Sequence, residues 1–310
     1  MNTTILLSIL VTGIMAGTPI LLAATGEIIA ERAGVLNMGV EGMMLIGAVT
    51  AFIASARTGS IWAALGASML AGGAAALIMA FLAVTLRANQ VACGIALTIF
   101  GTGLSAYLGK SLIGAPTTTG LKPISIPVLS AIPGLGGFFE KFDAMVYISA
   151  LLAIAAWFVL FRTKTGLLLR SCGENPAASD SAGVGVFLAR YLSVVTGGVF
   201  AGLGGAYLAL AFSPSWVENM TAGRGWIAIA LVVFAMWNPT RALLGSYIFG
   251  IIDSLGLHLQ AAGVTIPSFI LKMLPYLFTL AVLILMTRET KTRRVATPAS
   301  LGVPYSREER

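Results

Sequence analysis

The chain has 310 residues, of which 57% are hydrophobic and 10% are charged, whereas about 25% of the residues in a soluble domain are charged. This composition excludes a soluble globule, and repeated apolar runs of about 20 residues predict an all-α, polytopic bundle of transmembrane helices. The net charge of +7 does not predict a nucleic-acid partner, because the basic residues cluster beside apolar segments, as they do in the cytoplasmic loops of membrane proteins.

Nine apolar segments predict about nine spanning helices, with a range of eight to ten. They cover residues 4–24, 33–56, 61–84, 91–108, 143–161, 187–212, 226–237, 242–259 and 270–287. The polar residues 25–32 predict a bend after the first segment. We interpret residues 1–287 as one membrane domain in the lipid bilayer, and the polar residues 288–310 as a cytoplasmic tail without fixed structure.

The second segment is unusual because Asn37, Glu41 and several glycines interrupt its apolar run. We therefore expect its first half to be broken or re-entrant. Irregular backbone at membrane depth persists only where protein or a water-filled cavity covers it. This stretch is thus a candidate wall of a solute pathway.

Two carboxyl groups, Glu41 and Asp253, fall well inside apolar segments. A charge at the centre of a spanning helix costs roughly 2.5–3.5 kcal/mol on insertion scales, so such groups usually face a cavity or a partner. In one interpretation they line a solute pathway, with Asn37 and Asn89 as further candidates. In the other they form structural hydrogen bonds between helices.

A second functional class would use the same two carboxyl groups differently. In an ion-coupled secondary transporter, Glu41 or Asp253 would bind the coupling ion. Such transporters often carry broken helices at matched positions in two halves of the chain. Matched broken segments are not evident in this sequence, which therefore favours the other class.

No cluster in the sequence predicts catalysis, a metal site or a bound cofactor. The single histidine, His258, excludes a site built from several histidines. Gly109, Lys110 and Ser111 imitate the end of a phosphate-binding P-loop, but the glycine required five positions earlier is replaced by Leu104. We therefore expect a chain that is not an enzyme and has no ATP site of its own.

Residues 162–186, here termed the central loop, form the polar interruption near the middle of the chain. Basic residues in it predict a cytoplasmic position. A turn is expected at Gly173, and Asn175 followed by Pro176 favours the start of a short helix, since proline suits the first turn. Alanines give this helix a small apolar face that another protein could bury, although an ordinary connector is the alternative.

Three runs resemble sequence signatures of one branch of ABC-importer permeases, which holds the branched-chain amino acid, ribose and nucleoside permeases. Within the central loop, residues 165–186 (TGLLLRSCGENPAASDSAGVGV) resemble the coupling-loop motif. Residues 35–48 (VLNMGVEGMMLIGA) and 217–239 (VENMTAGRGWIAIALVVFAMWNP) resemble the N-terminal and second-half signatures. The residues of these runs are most similar to those of nucleoside, or basic-membrane-protein-associated, permeases. One departure is Ala235–Met236, where many relatives carry a glycine.

The resemblance implies the permease subunit of an ATP-driven importer for nucleosides in the inner or plasma membrane. ATP and Mg²⁺ would be bound by a partner ATPase, a homologous or identical second permease would complete the pathway, and an extracytoplasmic solute-binding protein would deliver the solute. The residues implied to contact the ATPase are Arg170, Gly173, Glu174, Asn175, Pro176, Ala177, Ala178 and Gly183. Bulky substitutions at Gly173, Glu174 or Ala178 would then uncouple ATP hydrolysis from uptake without unfolding the bundle.

Overall fold

The computed structural model describes residues 3–115, 119–130, 136–261, 267–287 and 297–307. In this part of the chain the regular secondary structure is helical, apart from two isolated β-bridges. The helices are α1 Thr3–Arg32, α2 Val40–Thr58, α3 Ile61–Ala80, α4 Gln90–Gly109, α5 Pro127–Ser130, α6 Gly136–Phe139, α7 Ala144–Arg162, α8 Lys164–Glu174, α9 Pro176–Ser181, α10 Val186–Tyr207, α11 Arg224–Phe234, α12 Pro239–Ala261 and α13 Ser268–Thr287. Short π-helical turns, Phe81–Thr85 and Leu208–Phe212, extend α3 and α10.

Seven helices in the described part of the chain are long and apolar enough to cross a membrane: α1, α2, α3, α4, α7, α10 and α12. Each of the nine predicted segments contains one helix, and the other two are α11 and α13. With 11 residues, α11 is about 16 Å long at 1.5 Å per residue, roughly half of a 30 Å hydrocarbon core. Helix α13 has 20 residues.

The centre of the bundle is formed by α1 and α10, which pack against each other. Helix α12 covers the other side of α1, whereas α2 and α3 cover α10. Small residues bring these helices close together: a Cβ atom at Gly202 would lie 2.3 Å from the Ser68 carbonyl oxygen of α3. Because lipid offers no hydrophobic drive for helix association, such close approach is a main source of packing energy.

The predicted bend at residues 25–32 is wrong, because α1 continues unbroken to Arg32. Its carboxyl groups are buried and bonded to distant parts of the chain. Glu27 accepts a hydrogen bond of 2.9 Å from the Asn37 backbone N–H, and Glu31 accepts one from the Trp237 indole N–H. These partners allow polar residues to continue a helix in the protein interior.

The first half of the second segment is broken, as predicted. Residues 34–39 are irregular, and α2 begins only at Val40. Side chains from other elements pair with backbone N–H groups of this irregular stretch. Gln90 accepts a 2.8 Å hydrogen bond from the Leu36 N–H, and Glu27 accepts one from the Asn37 N–H. Protein therefore covers this irregular backbone, as the membrane requires.

The tail is partly folded, contrary to the prediction for residues 288–310. Residues 288–296 and 308–310 lie outside the described residues, but residues 297–307 pack against the central loop and α10. The prediction was wrong for this segment because it relied on local polarity. The residues that bind the segment are more than 100 positions away in sequence.

Candidate functional site

A cavity of about 330 Å³ lies between the start of α11, α12 and α13. Three aromatic rings, three aliphatic side chains and one pair of opposite charges line it. The lining residues are Phe212, Ala222, Arg224, Ile227, Phe249, Asp253, Leu257 and Tyr276. Mostly apolar walls with a few convergent polar groups are typical of small-molecule sites, and the volume is at the lower end of their range.

The polar groups of the cavity are Arg224 and Asp253, which form an ion pair at 3.2 Å with partial exposure of 15% and 29%. The Arg224 guanidinium also lies over the Phe212 ring, 5.3 Å from its centroid, and donates to the Thr221 carbonyl at 3.3 Å. A partly wet ion pair can exchange partners with a polar solute at lower cost than a fully buried one. Of the four predicted pathway residues, Asp253 is the one that lines this cavity.

Glu41 lies behind the cavity wall and holds the start of α11 in place. Its carboxylate accepts hydrogen bonds from the Thr221 hydroxyl at 2.5 Å and from the Gly223 and Gly225 N–H groups at 2.9 and 2.6 Å. The first N–H groups of a helix have no partner within the helix and favour a negative charge. Glu41 is only 4% exposed, so this geometry matches the structural interpretation of its charge.

The structure joins two interrupted stretches at Glu41. Residues 34–39 lead into α2, and residues 213–223 lead into α11, whose first turn Glu41 caps. The sequence showed no matched broken segments, because the second interruption is read there as an ordinary polar loop. A Cβ atom at Gly225 would lie 2.6 Å from the Glu41 carboxylate, so the close approach requires glycine at this position.

Asn37 and Asn89 lie outside the cavity lining. Asn37 is buried; its carbonyl oxygen accepts from the Gly39 N–H at 3.0 Å, within the interruption before α2. Asn89 is exposed and caps the N-terminus of α4 by accepting from the Ala92 N–H at 3.0 Å. Both contacts stabilise local backbone, as side-chain amides commonly do at turns and helix starts.

Sequence reasoning missed Arg224 and the three aromatic rings as lining residues. Arg224 falls in the polar stretch before the seventh apolar segment, and Phe212, Phe249 and Tyr276 fall inside other apolar segments. The available signal was the opposite charge of Asp253, since a carboxylate inside a membrane helix calls for a cationic partner. Which cation supplies it depends on the fold.

The central loop forms two helices, α8 and α9, that meet at Asn175. Asn175 ends α8 and caps α9, accepting from the Ala178 N–H at 3.0 Å, while Pro176 occupies the first turn. The predicted short helix is therefore present, although the turn follows Glu174 instead of Gly173, which lies within α8. After α9, Gly183 adopts a φ of +86°, a left-handed conformation that glycine reaches without strain.

The predicted contact residues of the central loop divide into an exposed and a covered group. Glu174, Asn175, Ala177, Ala178 and Gly183 are exposed, Pro176 and Arg170 are half-buried, and Gly173 is buried. A groove of about 410 Å³ lies between α8 and α9, with Leu167 and Leu168 on one wall and Ala178 and Ala182 on the other. These exposed apolar side chains give the loop a surface that a second protein could cover.

Two covered residues of α8 are held by neighbouring elements. The Arg170 guanidinium lies 5.2 Å from the centroid of the Phe161 ring. Cys172 is fully buried, and burial raises the pKa of its thiol. Since the thiolate is the reactive form, this cysteine is chemically inert while it stays covered.

In the described part of the chain, no three His, Cys, Asp or Glu side chains come together as they would around a metal ion. The polar groups near the cavity are already paired as one ion pair and one helix cap. The arrangement can therefore bind a small solute weakly between aromatic rings and an ion pair, and it carries an exposed helical loop for a partner.

The fold defines a class of membrane protein. It resembles a solved ABC transporter assigned to the metal-chelate type in an inward-facing conformation, with a TM-score of 0.53 over 90% of this chain and 85% of that chain. The identity is 14%, so this likeness shows the fold alone. The chain thus has the helical fold of an ABC-transporter permease.

The sequence comparisons identify the family. Residues 9–287 match the family described as the branched-chain amino acid transport system permease component, and the chain belongs to this family. It is a multi-pass membrane protein and the permease component of an ABC transporter, which confirms the resemblance noted in its three signatures.

Relatives with a higher sequence identity than that solved structure are named for different solutes. NupQ of Bacillus subtilis, a guanosine ABC transporter permease, is 35% identical, and the match covers 97% of each chain. NupC of Lactococcus lactis, a nucleoside ABC transporter permease, is 34% identical over 98% of this chain and 99% of its own. TsgC13 of Haloferax volcanii, provisionally named for glucose ABC transport, is 43% identical over 95% and 96%.

Proposed function

We propose that this chain is a permease subunit of an ABC importer for nucleosides, driven by a separate ATPase. The observation that supports it most is full-length similarity to the guanosine and nucleoside permeases of two genera. A second candidate solute, a hexose, is favoured by the similarity to TsgC13. An ion-coupled mechanism is disfavoured, because Asp253 is paired with Arg224 and Glu41 caps a helix.

The chemistry of the cavity supports a solute with a flat apolar part and a polar part. Phe212, Phe249 and Tyr276 offer ring faces and edges, which suit a planar base. Arg224 and Asp253 offer charged donors and acceptors to hydroxyl groups. A nucleoside combines both parts, whereas a hexose would use mainly the second. The shortage of polar groups favours weak binding and hence release.

The path of the chain supports nine crossings, one of them broken. Residues 213–223 and α11 together lead from the end of α10 to the start of α12, so a half-length helix and an irregular stretch complete one passage. Its half-helix begins at the cavity, an arrangement that recurs at transport sites. Helix α13, with 20 residues, supplies the last crossing. The basic central loop and the tail lie on the cytoplasmic side.

The central loop is the docking surface for the ATPase, and this chain carries no ATPase site. ATP and Mg²⁺ bind the partner, whose closure pushes on α9 and the Ala178 side of the groove. A second permease, homologous or identical, completes the pathway, and an extracytoplasmic binding protein supplies the solute. Exposed alanines support this role, because small side chains allow another protein to approach the helix backbone closely.

Uptake by the assembled transporter tests the solute. The permease is reconstituted in vesicles with its ATPase, second permease and binding protein, and guanosine uptake is measured with and without ATP. We expect ATP-dependent uptake that excess unlabelled nucleoside blocks and excess glucose leaves unchanged. Block by glucose would favour the hexose, and uptake driven by an ion gradient without ATP would contradict the ABC mechanism for this chain.

A matched pair of variants tests the cavity. Phe212→Leu removes an aromatic face from the lining, whereas Phe200→Leu makes the same change at another half-buried position of the same helical stretch. Loss of one ring contact corresponds to about a 2- to 10-fold reduction in guanosine uptake at low solute concentration. Equal effects of both variants would show that the cavity does not contact the solute.

A further inference from the structure

The segment 297–307, here termed the tail clamp, completes the end of α8. The last carbonyl groups of a helix have no partner within it. Here the Ser300 N–H donates to the Gly173 carbonyl at 2.9 Å, and the Ser300 hydroxyl lies 2.7 Å from the same oxygen and 3.3 Å from that of Cys172. The α8 terminus, from which α9 projects, is therefore closed by a residue more than 120 positions away.

The tail clamp also binds a buried charge on α10. Arg190 is 2% exposed, and an uncompensated guanidinium at such a position would be strongly unfavourable. It donates to the Val303 carbonyl at 3.1 Å and to the Ser300 hydroxyl at 3.2 Å. The Gly302 N–H reaches the Gly34 carbonyl at 3.3 Å, in the turn that follows α1. One short segment thus contacts α8, α10 and the end of α1.

A further contact holds α9 itself. Arg307 forms a two-pronged ion pair with Asp180, with both N–O distances at 2.8 Å. Asp180 lies in the last turn of α9. The tail clamp therefore binds α9 near its C-terminal end, as it binds α8 near the C-terminal end of that helix. The Tyr305 ring packs 6.0 Å from that of Phe187 at the start of α10. The tail clamp therefore contacts both α9 and the start of α10.

We propose that the tail clamp is a positioning element that transmits movement of α9 to α10 and α1. This inference rests on the proposed docking of the ATPase at the central loop. Without the tail clamp, α9 keeps its packing against α8 and a small contact with α10, but its covalent connection to α10 runs through residues 182–185, among which Gly183 and Gly185 offer little stiffness. ATP hydrolysis would then continue, but less of the movement of α9 would reach the solute pathway.

Deletion of residues 297–310 tests the proposal in the reconstituted transporter. The first readout is maleimide labelling of Cys172 in a Cys93→Ser background, because Ser300 covers the end of α8 that carries this thiol. The second is the number of ATP molecules hydrolysed per guanosine imported. We expect labelling to accelerate about tenfold or more and the ratio to rise at least about fivefold, while the ATPase still co-purifies.

Charge exchange tests the same proposal if the deleted chain fails to fold. Arg307→Asp and Asp180→Arg should each raise the ATP-to-guanosine ratio about 2- to 5-fold, the range for an exposed ion pair, and the double exchange should restore it. The control is Lys110→Ala, which removes an exposed basic side chain directly after the C-terminal end of α4, away from the tail clamp. An unchanged ratio in all these variants overturns the tail clamp. Absence of uptake or of a bound ATPase in the unaltered protein would instead overturn the proposed function.

Discussion

Two helix ends in this protein are completed by residues far away in sequence, and the two differ in where the completing residue lies. Glu41, inside the bundle, caps the start of α11 with three hydrogen bonds. Ser300, on the tail clamp, caps the end of α8. The first cap is inseparable from the membrane domain, whereas the second belongs to a segment that can be removed.

Loss of the Glu41 cap should lower the stability of the bundle, whereas loss of the tail clamp should weaken the coupling of ATP hydrolysis to uptake. Unpaired N–H groups of α11 would remain buried if Glu41 were lost, and buried unsatisfied groups cost about 1–3 kcal/mol each. Loss of the tail clamp would uncover the carbonyl groups at the end of α8 and the Arg190 guanidinium, so that water can replace their lost partners and the cost is smaller. We therefore expect damage at Glu41 to unfold the protein and damage at the tail clamp to leave the bundle intact.

The largest effect is expected for Glu41→Ala. It removes the acceptor for Thr221, Gly223 and Gly225 at once, and the free energy of unfolding should fall by at least about 3 kcal/mol. The yield of folded protein and its melting temperature in detergent measure this loss.

The control for that prediction is Glu218→Ala, which removes the same charge from an exposed position in residues 213–223, the stretch that leads into α11. Its melting temperature should stay within the scatter of the unaltered protein, since exposed substitutions usually change stability by less than about 0.5 kcal/mol. Equal melting temperatures for the two variants would contradict the capping role of Glu41.

A pair in the central loop gives the next largest effect. A Cβ atom at Gly173 would lie 2.2 Å from the Arg32 carbonyl oxygen, so Gly173→Leu should destabilise the protein by about 1–3 kcal/mol through overpacking. Ala178→Leu, on the exposed face of α9, should leave the melting temperature unchanged and weaken co-purification of the ATPase. The expectation that both substitutions act alike therefore needs revision for Gly173. Loss of folding in Ala178→Leu would contradict this division.

The smallest effect concerns the C-terminal end of α11. Arg32 donates to the Met236 and Trp237 carbonyl groups, which lie beyond the last turn of α11. The backbone closes the helix itself, with the Trp237 N–H on the Val232 carbonyl and the Met236 N–H on the Val233 carbonyl. This Schellman arrangement usually carries glycine where the chain is left-handed, but here Met236 has a φ of +52°. Met236→Gly should raise stability by about 1 kcal/mol, seen as a higher melting temperature. A lower one would show that the Met236 side chain contributes more than its strain costs.

The helices were predictable because each spanning segment carries its signal locally. Apolar length predicted nine helical segments, and Asn175–Pro176 predicted the start of α9. The glycine expected near Met236 is also explained, since the backbone there is left-handed. Such features depend on a few neighbouring residues.

The site was predictable only in part, because its polar groups find partners across the fold. The partner of Asp253 is Arg224, 29 positions away, and that of Glu41 is the start of α11, more than 180 positions away. Residues 25–32 continue α1 because Trp237 and Asn37 donate hydrogen bonds to the carboxyl groups of Glu31 and Glu27. No local pattern records these pairings.

Crosslinking from the exposed face of α9 tests whether the ATPase docks on the central loop. A cysteine introduced by Ala178→Cys, in a chain with Cys93 and Cys172 replaced by serine, is reacted with a short crosslinker in the purified transporter. We expect a crosslink to the ATPase subunit whose yield changes when ATP binds. A cysteine that stays free of the ATPase, or that reacts with an impermeant reagent added outside intact cells, would contradict it.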